Sequence, residues 1–293
     1  MAAGTPYPDI AAEIRAIGPQ IEVTRTAQLY RTLHPASAPS GITITRDLRY
    51  GPHERQVLDL FKATVPWSAA PRPALVFVHG GGFRGGDKHL ADQPFYDNVG
   101  IWAARAGLLG ATMNYRLAPE AVYPAGAQDV ERMVTQLAAL ASDCGADPRR
   151  IFLWGHSAGA AHVADFLVTR AEPRIAGAIL TSGIYDKSGG AAASPWSIYY
   201  GADSARLRAL SAVPGLIATR VPLLVTWAEL DRADFIADAE ALVRARERAG
   251  RPVSALMVPG HSHISEVYAI GTADTSLSAP LLDFIHTASK ESP

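Results

Sequence analysis

The sequence predicts an α/β fold in which helices flank a mostly parallel sheet, built as one domain over residues 1–293. Short continuous apolar runs recur along the chain, and such runs are typical of strands buried on both faces of a parallel sheet. Helical stretches separate the runs, so right-handed crossovers are expected. A chain of this length can fold as a single unit. In such a sheet, functional residues are expected at the carboxyl ends of the strands.

The N-terminal region precedes this alternation. Residues 9–33 have helical apolar spacing broken by a Gly-Pro pair, which predicts two short helices outside the sheet. Residues 42–50 alternate apolar and polar side chains, and residues 57–63 repeat the pattern after a turn. We therefore expect an antiparallel hairpin there, and a small helical cap element within residues 1–40.

Six further runs predict the parallel strands. They lie at residues 74–82, 108–115, 150–157, 175–183, 221–229 and, more weakly, 254–260. The helical stretches between them include residues 126–142, 158–170 and 234–249. Residues 185–218 separate two strand candidates without one long helix, which indicates a second cap element over the functional face of the sheet.

Composition and charge narrow the class of ligand. Hydrophobic residues make up 48% of the chain and charged residues 19%, which fits a globular protein rather than a disordered one. The 27 basic and 28 acidic residues create no net field for nucleic acid or anionic lipid, so a small neutral or weakly charged ligand is expected. The sequence leaves formation of a homo-oligomer open.

Targeting and cysteine content predict a cytoplasmic protein. The first residues lack the basic and apolar parts of a secretory signal, and the apolar runs fall far short of a membrane span. Cys144 is the one cysteine, so neither an internal disulfide nor a thiolate metal cluster can form, and we expect it to be structural. No cofactor is predicted.

Ser157 is the candidate nucleophile. It lies within Gly155–Gly159, between an apolar run and a helical stretch, and this strand-turn-helix context is typical of a nucleophile elbow. The small residues let the turn pass close to its neighbours, and the following helix adds a positive dipole where an oxyanion would form. His156 and His162 flank the turn and are expected to be packed or surface groups rather than a second base.

Three consecutive glycines, Gly80, Gly81 and Gly82, follow His79 at the end of another predicted strand. Their exposed backbone N–H groups, together with the N–H of Ala158, could hold a tetrahedral oxyanion. A phosphate-binding loop is the poorer explanation, because neither a GK[ST] ending nor a G-x-G-x-x-G pattern is present.

A serine nucleophile needs a histidine base oriented by a carboxylate, and in this arrangement the acid precedes the histidine. Glu229 and Asp231 follow one predicted strand, and His261 and His263 follow the next. Spacing alone does not choose within either pair. The two histidines could also form a metal pair, but no third ligand lies nearby in sequence, so no metal site is predicted.

The chain resembles the α/β-hydrolase esterases of the hormone-sensitive lipase type from about residue 42 to the C-terminus. The matching motifs are HGGGF at 79–83, NYRLAPE at 114–120, YPAGAQD at 123–129, GHSAG at 155–159, AELDRAD at 228–234 and GHSH at 260–263. The resemblance implies an α/β-hydrolase fold with a catalytic triad of Ser157, Asp231 and His263. It also implies an oxyanion hole formed by Gly81, Gly82 and Ala158.

The expected activity is that of a serine carboxylesterase on small or short-chain acyl esters, through an acyl-enzyme intermediate. The candidate substrate-binding residues are Phe83, His156, Trp196, Tyr199 and Tyr200, although ordinary packing would also explain the aromatic ones. The segment HGGGFRGGDK at 79–88, together with AELDRADF at 228–235, also resembles carboxylesterases and arylformamidases of the same fold. The arylformamidases hydrolyse an N-formyl amide on an aromatic amine, so an amidase of that kind is the alternative. A non-catalytic ligand-binding relative is the remaining alternative, because a fold does not guarantee a function.

Overall fold

A computed structural model describes residues 9–35, 39–64, 71–189, 194 and 196–291. Within the two predicted cap elements, residues 1–8, 36–38, 190–193 and 195 lie outside the described residues. The division of the chain into one domain with two cap elements stays a prediction.

A single sheet runs through the described chain, and its alternation with helices is the predicted one. Its strands are β1 (Ile42–Arg49), β2 (Val57–Ala63), β3 (Arg72–Val78), β4 (Leu109–Met113), β5 (Ala146–His156), β6 (Gly177–Thr181), β7 (Leu223–Ala228) and β8 (Ser254–Val258). Their spatial order is β1-β2-β4-β3-β5-β6-β7-β8. The pairs β1/β2 and β2/β4 are antiparallel, and the remaining neighbours are parallel, which confirms the hairpin and the mostly parallel sheet.

Helices connect these strands and cover both faces of the sheet. They are α1 (Ile10–Ile17), α2 (Val23–Tyr30), α3 (Asp97–Arg105), α4 (Ala125–Ala141), α5 (Ala158–Thr169), α6 (Ser197–Tyr200), α7 (Ser204–Ala209), α8 (Val213–Ala218), α9 (Ala233–Arg248), α10 (Ser265–Tyr268) and α11 (Ser278–Glu291). A 3₁₀ turn at Arg31–Leu33 follows α2. Among the described residues, none of the helices is both long and apolar enough to cross a bilayer.

Side chains of the strands alternate between two apolar clusters, as the period of two in a strand requires. On β3, Val76 belongs to the cluster that α4, α5 and α9 cover, and Phe77 belongs to the cluster on the opposite face with α3 and α11. Ile14 of α1 is buried in this second cluster. The N-terminal helices therefore pack against the domain and do not project from it.

Two helices that contribute to this core were not predicted. Helix α3 fills the connection between β3 and β4, and α11 ends the described chain. Both contribute buried residues to the second cluster, including Trp102 of α3 and Leu281 of α11. Among the described residues between 185 and 218 the structure has the short helices α6, α7 and α8 and no long helix, as the sequence predicts.

Candidate active site

Ser157 occupies the turn between β5 and α5. Its backbone has φ 56° and ψ −121°, a conformation that non-glycine residues rarely adopt. Two glycines allow this turn to pack closely. A Cβ on Gly159 would lie 2.0 Å from the carbonyl oxygen of Val78, and one on Gly155 would lie 2.5 Å from the Cα of Ala160. Larger residues at these two positions would displace the turn that presents the serine.

Asp231 and His263 form the carboxylate–histidine pair that the sequence left open. Asp231 follows β7, His263 follows β8, and both side chains are buried. The His263 Nδ1 atom lies 2.9 Å from Asp231 Oδ1. A hydrogen bond donated from Nδ1 leaves Nε2 with a free lone pair, which is the form a general base requires.

The competing candidates make other contacts. Glu229 is exposed and its carboxylate accepts the backbone N–H of Gly260 at 2.6 Å. His261 is hydrogen-bonded through Nδ1 to the Ser265 hydroxyl and through Nε2 to Asp274, both at 3.0 Å. With both ring nitrogens of His261 occupied, the structure joins Asp231 to His263 and leaves Glu229 and His261 outside the pair.

The surroundings of Asp231 favour its ionised form. Burial alone would raise its pKa, but the charge and hydrogen bond of His263, the Ser182 side chain and the backbone N–H of Arg232 bring the pKa below its ordinary value. Phe235 stacks on the His263 ring with centroids 4.7 Å apart. The imidazole is thus held on one edge by a carboxylate and on one face by an aromatic ring.

The glycine-rich loop after β3 lies beside Ser157. Gly81 and Gly82 have φ values of 129° and 60°, in the region that favours glycine. A Cβ on Gly81 would lie 2.1 Å from the carbonyl oxygen of Gly85, whereas one on Gly82 would meet nothing within 4 Å. Gly81 therefore requires glycine for space, and Gly82 for its backbone conformation.

A cavity of about 510 Å³ joins these elements. Ser157, Ala158, His263 and the glycine loop form part of its wall. Apolar and aromatic side chains form most of the remainder: Ile21, Val23, Phe83, Leu90, Tyr96, Ile184, Trp196, Phe235, Ile264 and Tyr268. Its volume and lining are typical of a site for a small, mostly apolar ligand.

Residues 75–266 match a family model described as alpha/beta hydrolase fold. The chain belongs to this family. Together with the eight-stranded sheet, the match shows that the fold is the α/β-hydrolase fold, as the resemblance implied.

Among the curated relatives of this chain, gut esterase 1 of Caenorhabditis elegans is 34% identical over 113 residues, which is 36% of this chain and 20% of that protein. Carboxylesterase NlhH of Mycobacterium tuberculosis is 38% identical over 92 residues, which is 30% of this chain and 26% of that protein. The chain therefore spans about a fifth to a quarter of the length of these relatives.

Solved structures extend the similarity of the hydrolase fold over almost the whole chain. Esterase B from Lactobacillus rhamnosis aligns with a TM-score of 0.75 at 18% identity and covers 96% of each chain. A truncated carbohydrate esterase from gut microbiota aligns with a TM-score of 0.71 at 17% identity and covers 93% of this chain and 99% of that one.

The predicted pocket residues divide into two groups. Phe83, His156 and Trp196 line the cavity. Tyr199 and Tyr200 are not part of the lining in the described structure; they are buried behind Phe83, with the Tyr199 ring stacked on it at 4.8 Å. The prediction that both tyrosines contact the ligand is corrected accordingly, because they support the wall that Phe83 forms.

Sequence reasoning missed the groups that hold the glycine loop. The Tyr115 hydroxyl donates to the His79 carbonyl at 2.8 Å, and His79 Nε2 lies 3.1 Å from Asn114 Oδ1. Burial lowers the pKa of His79 to about 4, so it is neutral at pH 7. The NYRLAPE motif that contains Asn114 and Tyr115 signalled this role, but no function was assigned to those two residues from the sequence.

One group of possible metal ligands occurs among the described residues, at His156, His263 and Glu266, whose ligand atoms lie within 4.8 Å of one another. Protein groups already engage one ring nitrogen of each histidine and one oxygen of Glu266. His156 Nε2 donates to the His263 carbonyl at 2.7 Å, and His263 Nδ1 bonds to Asp231. These bonds hold the loop that carries His263, and the group gives no reason to assign a metal.

Proposed function

We propose that this protein is a serine carboxylesterase that hydrolyses small or short-chain acyl esters. The observation that carries the proposal is the 2.9 Å bond between His263 and Asp231 at the wall of an apolar cavity that Ser157 also lines. The curated names of gut esterase 1 and carboxylesterase NlhH agree with this reaction class. A cytoplasmic location stays a prediction from the sequence.

In the first step, the Ser157 hydroxyl attacks the ester carbonyl carbon and His263 Nε2 accepts its proton. Asp231 accepts a hydrogen bond from the Nδ1–H of His263 and its negative charge stabilises the imidazolium that forms. The C–O bond to the alcohol then breaks, and the imidazolium returns the proton to the leaving alkoxide. Water repeats the sequence on the acyl-enzyme, releasing the acid and restoring the serine.

The developing oxyanion would be stabilised by the backbone N–H groups of Gly81, Gly82 and Ala158. Ala158 is the first residue of α5, so its N–H lies at the positive end of a twelve-residue helix. Removal of one oxyanion donor typically lowers turnover by about 10²- to 10³-fold. These groups contribute most when charge develops on the oxygen, and therefore favour the transition state over bound substrate.

The cavity supports neutral, apolar substrates. Its lining is mostly hydrophobic, and Arg232, the one lining residue with a permanent charge among those described, forms an ion pair with Asp234 at 2.6 Å. The cavity has a volume of about 510 Å³, and the bulky side chains of Tyr96, Trp196 and Tyr268 are among those that line it. This limited volume is the basis for expecting short acyl groups.

The test is hydrolysis of p-nitrophenyl esters from acetate to dodecanoate, with N-formylkynurenine assayed beside them. We expect the highest kcat/KM at short acyl chains and loss of turnover in Ser157→Ala, which also should form no acyl-enzyme. Turnover that survives in Ser157→Ala, or a much higher kcat/KM on the formamide, would contradict the proposal.

A further inference from the structure

Glu266 is a buried carboxyl for which the proposed mechanism has no use. It lies on α10, three residues after His263, and its side chain is fully buried. The Ser182 hydroxyl, at the end of β6, donates to Glu266 Oε1 at 2.6 Å. No hydrogen-bond partner reaches Oε2 among the described residues. A buried carboxyl of this kind needs a physical explanation, because unsatisfied buried polar atoms are uncommon.

Charged groups around Glu266 disfavour a carboxylate there. The titratable groups near it are Asp231 after β7, His156 at the end of β5, His263 before α10 and Tyr185 after β6. Within the described residues, no lysine or arginine lies at ion-pair distance from Glu266. His156 is at that distance, with its Nε2 3.6 Å from Oε1. Asp231 is itself negative. An ionised Glu266 would therefore add a second negative charge beside it, without a compensating cation.

His156 does not supply the missing cation. Burial, followed by the nearby charge of His263, lowers the pKa of His156 to about 3. Its Nε2–H is donated to the His263 carbonyl at 2.7 Å, so the neutral ring is already committed. Burial and the charge of Asp231 also raise the pKa of Glu266 well above its ordinary value.

We propose that Glu266 is a positioning residue, a neutral carboxylic acid that holds the loop carrying His263 against the end of β6 without adding charge beside Asp231. The inference rests on the proposed function, because it concerns the same catalytic pair.

The contacts explain how Glu266 would act at a distance from the reacting atoms. Ser182 has φ 48° and its backbone N–H donates to Thr226 at 2.9 Å, so the hydroxyl is held by the central strands. The Ser182 side chain also lies close enough to Asp231 to lower the pKa of that carboxyl. Glu266 thus links the histidine loop to the serine that lies beside Asp231, while His156 fixes the His263 backbone from the other side.

The test compares Glu266→Ala with Glu266→Gln, whose amide keeps the size and neutrality of a carboxylic acid. On the best p-nitrophenyl ester, we expect Glu266→Ala to lower kcat by about tenfold or more with little change in KM, since the catalytic pair is misplaced. Glu266→Gln should recover most of that loss. The acid limb of its pH–kcat/KM profile, which reports protonation of the base, should keep the wild-type midpoint.

An ionised Glu266 gives a different result. Removing a negative charge this close to the imidazole would move the acid limb of Glu266→Gln to lower pH, by on the order of one pH unit. Such a shift would overturn the proposal. So would full kcat in Glu266→Ala, or equal losses in the alanine and glutamine variants.

Infrared difference spectra provide a readout that does not need turnover. Wild type minus Glu266→Gln at pH 7 should show the carbonyl stretch of a protonated carboxylic acid. Glu229→Gln, which removes an exposed carboxyl near the same loop, gives the reference signal. A carboxylate band at Glu266 would contradict the proposal even if Glu266→Ala fails to fold. If wild type shows no serine-dependent turnover, the proposed function fails while the spectrum still decides the charge of Glu266.

Discussion

Buried neutral histidines should make this protein lose stability as the pH falls. His79, His156 and His162 are each almost completely buried, and burial is the largest cause lowering their pKa values, to about 4, 3 and 3. In the unfolded chain their reference value is 6.5. Between about pH 6.5 and pH 4 the unfolded state therefore binds more protons than the folded state, and the free energy of unfolding decreases as pH decreases.

His162 is the best of the three histidines for testing this effect, because it lies outside the proposed catalytic pair of Asp231 and His263. Its ring packs against Tyr115 and Tyr199, with centroids 4.5 and 5.0 Å away, and neither ring nitrogen has a partner among the described residues. With a folded pKa near 3, its neutral form contributes stability that is fully present above pH 6.5. Lowering the pH from 7.5 to 4.5 should remove about 3 kcal/mol of that contribution.

The measurement is urea unfolding, followed by tryptophan fluorescence, at several pH values for wild type, His162→Leu and His286→Leu. His286 is exposed on α11, so its replacement removes a histidine without removing a buried one. The stability of His162→Leu should fall by about 3 kcal/mol less than that of wild type from pH 7.5 to 4.5. Parallel curves for wild type and His162→Leu would show that His162 is not held neutral by the fold, and would refute the reasoning.

Three further predictions concern the site and its supports. Asp231→Asn should lower kcat by about 10³- to 10⁴-fold with little change in KM, because His263 would lose the partner that fixes its tautomer. Steady-state kinetics on p-nitrophenyl acetate measures this change, and a near-normal kcat would contradict the prediction. Gly159→Ala should destabilise the fold by more than about 3 kcal/mol, since its Cβ would lie 2.0 Å from the Val78 carbonyl; an unchanged midpoint in urea would contradict that contact. Lys187→Met should cost about 3–5 kcal/mol by leaving Asp165 buried without its 2.9 Å ion pair, and the double variant with Asp165→Leu should recover much of the loss. If the double variant is no more stable than the single one, the loss does not come from the unpaired carboxyl.

Much of the fold could be predicted from the sequence because buried parallel strands have a distinctive pattern. Every predicted strand has a counterpart in the sheet, and three predicted helices correspond to α4, α5 and α9. Helices α3 and α11 were not among the helices predicted from the sequence. The apolar residues of α3, such as Val99 and Trp102, become recognisable as a buried face once the sheet surface they cover is known.

The candidate catalytic pair, Asp231 and His263, shows what the sequence alone could not decide. Glu229 and Asp231 lie two residues apart after one strand, and His261 and His263 do the same after the next, so strand-end placement applies equally to all four. Loop conformation decides between them. The Leu230 N–H donates to the His261 carbonyl at 2.9 Å, which joins the two loops by their backbones.

The residues that line the pocket were harder to predict than the candidate triad, because the sequence does not show which direction an aromatic side chain faces. Trp196 and Tyr199 lie one helical turn apart, yet Trp196 reaches the cavity and Tyr199 stacks behind Phe83. The cavity is also bounded by Ile21 and Val23, at the junction of α1 and α2 and far from the motifs in sequence. The proposed reaction can be predicted from short motifs, because these consist of glycines and of residues at strand ends. The substrate preference depends instead on packing between segments that are distant in sequence. Substitutions at Ile21 or Trp196 should therefore alter acyl preference while leaving the reaction itself in place.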